Sequence, residues 1–292
     1  MIRNVLLRLT MVVLAPCSML ACGLGGEMTG ATGMFDRTLQ VSGPVDLEVR
    51  TGSGTISIRT GADNAVRVIG HIRAFGLFWS DIDPAEQVRR LEANPPVEQR
   101  GDLIRIGSPA DPSVHGVAIS YELTVPVETR IRARSGSGDQ VIGPVRGPVD
   151  ARSGSGSVRI DHVGDHVRVT TGSGRIEALG ADAGLEARAG SGSIYAEAIG
   201  GLLRVKTGSG CVEVEQIEAG PIDVETGSGS VRVRMPANAT FDLHARTGSG
   251  LIENSRPLAV YGAVSRHQLS GRLGNGSPPV QIATGSGDIR IE

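Results

Sequence analysis

The sequence predicts an all-β protein, a parallel β-helix (β-solenoid) with two short strands per coil of about 18 residues and one short helix in an N-terminal insertion. Three observations carry this prediction. The tripeptide Gly-Ser-Gly begins at residues 52, 136, 154, 172, 190, 208, 227, 248 and 285, and from 136 to 208 the interval is 18 each time before it becomes 19, 21 and 37. Between these tripeptides apolar and polar residues alternate in two runs per unit, the period of a half-buried strand. The 292 residues include 42 glycines but only four Phe, three Tyr and one Trp, which suits narrow coils filled by small aliphatic side chains better than a helical bundle or an ordinary α/β enzyme.

Within each unit, counting the first Gly as position one, the fifth position holds Val158, Ile176, Ile194, Val212 and Val231, and the seventh holds Ile160, Ala178, Ala196, Val214 and Val233. The tenth holds Val145, Val163, Ala181, Ile199 and Ile217, and all three positions are expected to face inward. A second inward pair precedes the next tripeptide, as in Val167/Val169 and Leu203/Val205. The Gly-Ser-Gly corner then joins one unit to the next, because glycine lets backbones stack closely. Thr171, Thr207, Thr226, Thr247 and Thr284 stand immediately before the corner with inward parity, and are expected to satisfy backbone groups at the bend. Four residues before the corner the chain reads Asp150, Arg168, Glu186, Arg204 and Asp223, so neighbouring coils set opposite charges side by side and help fix register.

The first tripeptide is separated from the second by 84 residues, and this interval holds the insertion, placed at about residues 73–100. Asp83-Pro84-Ala85-Glu86 combines an N-cap, Pro at the first helical position and Glu at the third. Ala85, Val88 and Leu91 would share one face of the helix, with Glu86 and Arg90 paired at i,i+4. Just before it, Phe75, Phe78 and Trp79 gather three aromatics into five residues. Two readings stand: a tip that contacts a partner or membrane, and a cap packed over the solenoid flank.

At the N-terminus Arg3 and Arg8 precede the apolar stretch Leu9 to Leu14, the pattern of an export signal over residues 1–21, too short for a lasting membrane span. Met19-Leu20-Ala21-Cys22 resembles the lipobox of bacterial lipoproteins, although Met and Leu depart from its commonest pattern. The resemblance implies acylation of Cys22 and a membrane partner through a lipid anchor; plain secretion with cleavage after Ala21 is the alternative. Residues 22–34 would then form a flexible tether and residues 35–292 the solenoid domain. Cys211 is left alone, so no disulfide framework is expected.

Tyr121-Glu122-Leu123-Thr124-Val125-Pro126, followed by Arg134-Ser135-Gly136-Ser137-Gly138 and the serial Thr-Gly-Ser-Gly corners, resembles a widespread bacterial family of adhesin-like, β-strand-repeat domains of unknown function, head GIN domain-like and here in lipoprotein form. The resemblance spans residues 35 to 292. It implies a β-helix-like solenoid in the cell envelope and supplies no catalytic residue.

The charge balance and the chemistry-bearing residues narrow the function classes. Lys plus Arg (29) nearly cancels Asp plus Glu (31), and stacking aromatics are scarce, which argues against nucleic acid as a partner. Asp161-His162-Val163-Gly164-Asp165-His166 is the one His/Asp cluster, with His162, Asp165 and His166 as weak candidates for a metal ion against a solvated turn. No nucleophile elbow or nucleotide-binding fingerprint stands in its required context, and no cofactor is expected. The expected function is therefore a non-catalytic envelope lipoprotein, periplasmic or surface-facing, that binds or scaffolds an envelope protein or glycan. The alternatives are a carbohydrate-active β-helix enzyme, which needs an acidic cleft, and a solenoid that self-associates through an uncapped end at Ile289 to Glu292.

Overall fold

The computed structural model describes residues 30–62, 64–76, 83–107, 116–261 and 265–292. Strands β1 (Gly30–Gln40), β2 (Val45–Thr51), β3 (Ile56–Thr60) and β4 (Ala65–Phe75) lead to helix α1 (Pro84–Ala93), then to β5 (Val97–Arg100), β6 (Leu103–Ile106) and β7 (Val117–Val125). The regular coils follow, each pairing one strand before the corner with one after it. They are β8 (Thr129–Ser135) with β9 (Gln140–Ile142), β10 (Val149–Ser153) with β11 (Val158–Val163), and β12 (Val167–Thr171) with β13 (Ile176–Ala181). Next come β14 (Gly184–Ala189) with β15 (Ile194–Ile199), β16 (Leu202–Ser209) with β17 (Val212–Gln216), and β18 (Ile222–Ser228) with β19 (Val231–Arg234). The chain closes with β20 (Phe241–Ser249), β21 (Ile252–Asn254), β22 (Ala259–Val260), β23 (Gln268–Leu273), β24 (Pro279–Ser286) and β25 (Ile289–Ile291).

These strands build two sheets of 12 and 13 strands whose inner faces enclose one continuous hydrophobic core, aliphatic through the regular coils, with Phe35 and Tyr121 near one end and Phe241 near the other. In the regular coils all pairing is parallel and, up to Ala196, in unbroken register, Val167 against Leu185 and Ile176 against Ile194, for example. The interior is thin, so its layers are made of Val, Ile, Leu and Ala: Val169, Ala178, Ala187 and Val205 are fully buried. The corners stack backbone on backbone. Gly154 N–H donates to Ser135 O at 3.0 Å and Ser155 N–H to Gly136 O at 3.0 Å, and a Cβ on Gly156 would lie 2.1 Å from Gly138 O. The threonine hydroxyls do turn inward: Thr207 Oγ1 donates to Gly192 O at 3.0 Å, and Thr171 Oγ1 accepts from Gly174 N–H at 3.0 Å.

The helix begins as its sequence requires, with the Asp83 side chain accepting from Ala85 N–H, but Glu86 turns to Arg89 (2.9 Å) and Arg90 (3.0 Å). Helix α1 packs on the inner face of β1 and β4, flush against Gly33, and buries Val88, closing one end of the core. Strands β1 and β4 are antiparallel, unlike the coils they extend.

Three expectations need correction. Residues 30–34, placed in the tether, are strand: β1 starts at Gly30, which pairs with Phe75. Ile217, placed inside, is 52 % exposed, and Gln216 fills its position, buried and donating to Gly201 O at 2.6 Å. The cause is a register shift between Ala196 and Ile199 that sets Ile199 against Gln216 in the first coil of 19 residues. The chain's last strands are not the end of the stack either. β24 lies between β18 and β20, and β25 between β19 and β21, because the 37-residue interval carries the chain out through the antiparallel strands β22 and β23 and back into a slot already flanked on both sides.

Candidate functional site

The outer face of the 13-stranded sheet carries two straight columns of side chains. Parallel register places Glu48, Arg132, Asp150, Arg168, Glu186, Arg204 and Asp223 side by side on β2, β8, β10, β12, β14, β16 and β18. This is the alternating ladder the sequence predicts, extended at its start by two strands, through Arg132 on β8 and Glu48 on β2. Arg168 meets Glu186 at 2.9 Å and Arg204 meets Asp223 at 3.3 Å, whereas Asp150 turns along its own strand to Arg152 at 3.1 Å.

Two residues further along the same strands, and so on the same face, runs a column of one sign. Arg50, Arg134, Arg152, Thr170, Arg188 and Lys206 are mutual register neighbours in that order, and the run ends at Glu225, which pairs with Lys206 at 2.8 Å. The carboxylates between the columns are shared. Glu186 holds both Arg168 and Arg188 (2.6 Å), and Glu48 holds Arg50, Arg105 (3.4 Å) and Arg134 (3.8 Å). They are also recessed: the side chain of Glu186 is 11 % exposed and that of Arg188 55 %. Burial disfavours the Glu186 anion, but the Arg168 hydrogen bond and the charges of Arg168, Arg188 and Arg204 outweigh it and hold its pKa below the ordinary value; the Arg50 hydrogen bond does the same for Glu48. The face therefore presents cations outermost.

Two recesses interrupt this surface. One of about 340 Å³ opens where short Ala283 stands in the second column between Glu225 and Arg246, with His244 and Gln281 beside it. The other, about 930 Å³, lies between the end of α1 and the first corner, with Leu91, Pro96, Val97 and Ile119 on one side and Arg50 and Arg134 on the other.

Of the residues singled out in the sequence, Cys22, Phe78 and Trp79 lie outside the described residues. Phe75 ends β4 on the outer face of the 12-stranded sheet, 47 % exposed. His162 is exposed at φ +49°, Asp165 accepts from His166 N–H at 2.6 Å, and Asp161 turns to Arg159 at 3.3 Å. Among the described residues no three His, Cys, Asp or Glu side chains converge as metal ligands, and no helix is long and apolar enough to cross a membrane. Sequence reading missed the cationic column, although its signal was present: the position two before each corner reads Arg50, Arg134, Arg152, Thr170, Arg188 and Lys206.

A two-sheet β-solenoid with charge-patterned outer faces is the class of protein that these features define. The chain belongs to the Toastrack DUF4097 family, whose model matches residues 113–292. Among solved structures it is similar to a provisionally named cell adhesion protein from Clostridium sporogenes, at 13% identity and a TM-score of 0.30 over 89% of this chain and 99% of that one. It is also similar to a provisionally named adhesin from Bacteroides fragilis (14% identity, TM-score 0.39, 89% and 97% covered). A provisionally named lipid binding protein from Parabacteroides distasonis shows 13% identity and a TM-score of 0.36, with 89% and 96% covered. No curated protein matches the chain.

Proposed function

We propose that the protein is a non-catalytic binding or scaffolding module of the bacterial cell envelope, held at a membrane by a lipid on Cys22 and presenting the outer faces of its solenoid to an envelope partner. The observation that carries this reading is the outer face of the 13-stranded sheet, where charged side chains stand in register across successive short coils. A two-carboxylate glycosidase site would need one carboxyl group held protonated beside another that is ionised. Among the described residues each carboxylate with a displaced pKa is displaced downward, by neighbouring cations or, for Asp242, first by the Tyr261 hydroxyl. The threonine hydroxyls that precede the corners are spent on backbone, as Thr171 and Thr207 illustrate.

Fractionation and photo-crosslinking in intact cells test this reading together. The wild-type chain should partition with membranes and take up labelled fatty acid, and Cys22→Ser should lose both. A photo-reactive side chain in place of Thr170, on the outer face, should capture a recurrent envelope component. Membrane partition unchanged in Cys22→Ser would remove the anchor, and capture of nothing but further copies of the chain would replace the binding module with a self-stacking protein.

A further inference from the structure

We propose that the outer face of the 13-stranded sheet binds a linear acidic polysaccharide laid along the stacking axis, with Arg50, Arg134, Arg152, Arg188 and Lys206 as its line of contacts. This deepens the binding-module reading and rests on it. The near-neutral net charge of −2 conceals the surface. From β2 to β16 the outer face also carries Arg130, Arg132, Arg168 and Arg204, against the carboxylates of Asp46, Glu48, Asp150 and Glu186. As a set the four carboxylates are outnumbered by the cations, and those of Glu48 and Glu186 lie deeper than the guanidinium groups they serve.

The shape of the excess selects the partner. It runs one side chain wide over six adjacent strands, roughly 24 Å at a strand spacing of ~4.8 Å. That matches a polymer whose anionic groups recur along a line. A planar anionic membrane would press against the whole face, including the carboxylates of the alternating column. A single-stranded nucleic acid would seek aromatic platforms, and none of the outward residues of β8, β10, β12, β14 or β16 is aromatic. A glycan finds further partners three residues beyond the cations. Exposed Ser137, Ser155, Ser173 and Ser191 form a second line, of hydroxyls, over a floor of stacked glycine backbone.

Thr170 is the one gap in the cationic line before Glu225, and it makes the proposal testable by gain as well as loss. Binding of the full chain in detergent to polygalacturonate should be measured beside neutral dextran and vesicles of phosphatidylcholine with phosphatidylglycerol. The expected result is polygalacturonate binding that weakens as salt rises. Arg152→Gln with Arg188→Gln should weaken it about tenfold, while Arg232→Gln on the other sheet leaves it unchanged and Thr170→Arg strengthens it several-fold. Thermal melts identify any variant that fails to fold, and the Thr170→Arg arm does not depend on removing a native contact. Absence of polygalacturonate binding at low salt, equal loss in Arg232→Gln, or binding to the anionic vesicles alone would overturn the proposal. An envelope component still captured from position 170 would then leave the binding module standing with a different ligand.

Discussion

Glu186 shows how one residue ties the two outer columns together. It is the most enclosed of the ladder carboxylates, with Arg168 on the neighbouring strand and Arg188 on its own strand both within hydrogen-bond distance. Its folded pKa is depressed below the ordinary 4.5, so ionisation and folding are coupled. The stabilisation is present above about pH 4.5 and is lost as pH falls through the lower folded value. Glu186→Gln should therefore reduce stability by about 1 kcal/mol at neutral pH, a figure held down by the solvent around both arginines. Urea unfolding at a series of pH values should show the difference between wild type and variant shrinking below pH 4.5. A difference that stays constant down to pH 3 would mean that Glu186 acts by packing alone.

At the scale of the element, the corner is where sequence and structure agree most closely. A tripeptide repeated at a fixed interval forces each corner to lie on the last, and the closeness of that stacking is what excludes a Cβ. Gly156→Ala would bring its methyl to 2.1 Å from Gly138 O and should destabilise the protein by about 2–3 kcal/mol, whereas a Cβ on Gly52 meets nothing within 4 Å and Gly52→Ala should cost less than about 0.5 kcal/mol. Urea midpoints of the two variants check this, and equal shifts would show that the corners tolerate side chains. The strands were legible for the same reason, since period-2 alternation specifies a face without reference to neighbours. The exceptions come where the interval changes. Ile217 and Gln216 exchange places in a coil of 19 residues because inward parity depends on the register with the preceding coil, which counting from a corner cannot supply. The cationic column was equally written in the sequence, but a column of one sign acquires meaning only when the strands are seen to lie side by side without offset. The antiparallel partners β1, β4 and β23 carry no Gly-Ser-Gly corner and so left no periodic trace.

On the scale of the whole molecule, the position of the C-terminal coil decides how the stack holds together. In a simple solenoid each coil depends on its sequence neighbours, and removing the last would expose only the one before it. Here β24 and β25 separate β18 and β19 from β20 and β21, so the final coil supplies the parallel partners on both sides. It also completes polar contacts across the slot: Thr247 Oγ1 donates to Gly287 O at 2.9 Å, Thr284 Oγ1 to Gly229 O at 3.0 Å, and Arg234 pairs with Glu292 at 3.2 Å. Without it, β20 and β21 lose their parallel partners and β18 and β19 become edges. Truncation after Ser277 should therefore abolish amide protection across residues 241–254 and weaken it across 222–234. The coils from Thr129 to Ser209, closed at their far side by α1 and the strands around it, should keep theirs. Hydrogen exchange resolved by peptide reads the three regions in one experiment. If protection across 241–254 survived the truncation, those residues would be held by β23 alone, and the inserted coil would be an addition to the stack with no role in joining its two parts.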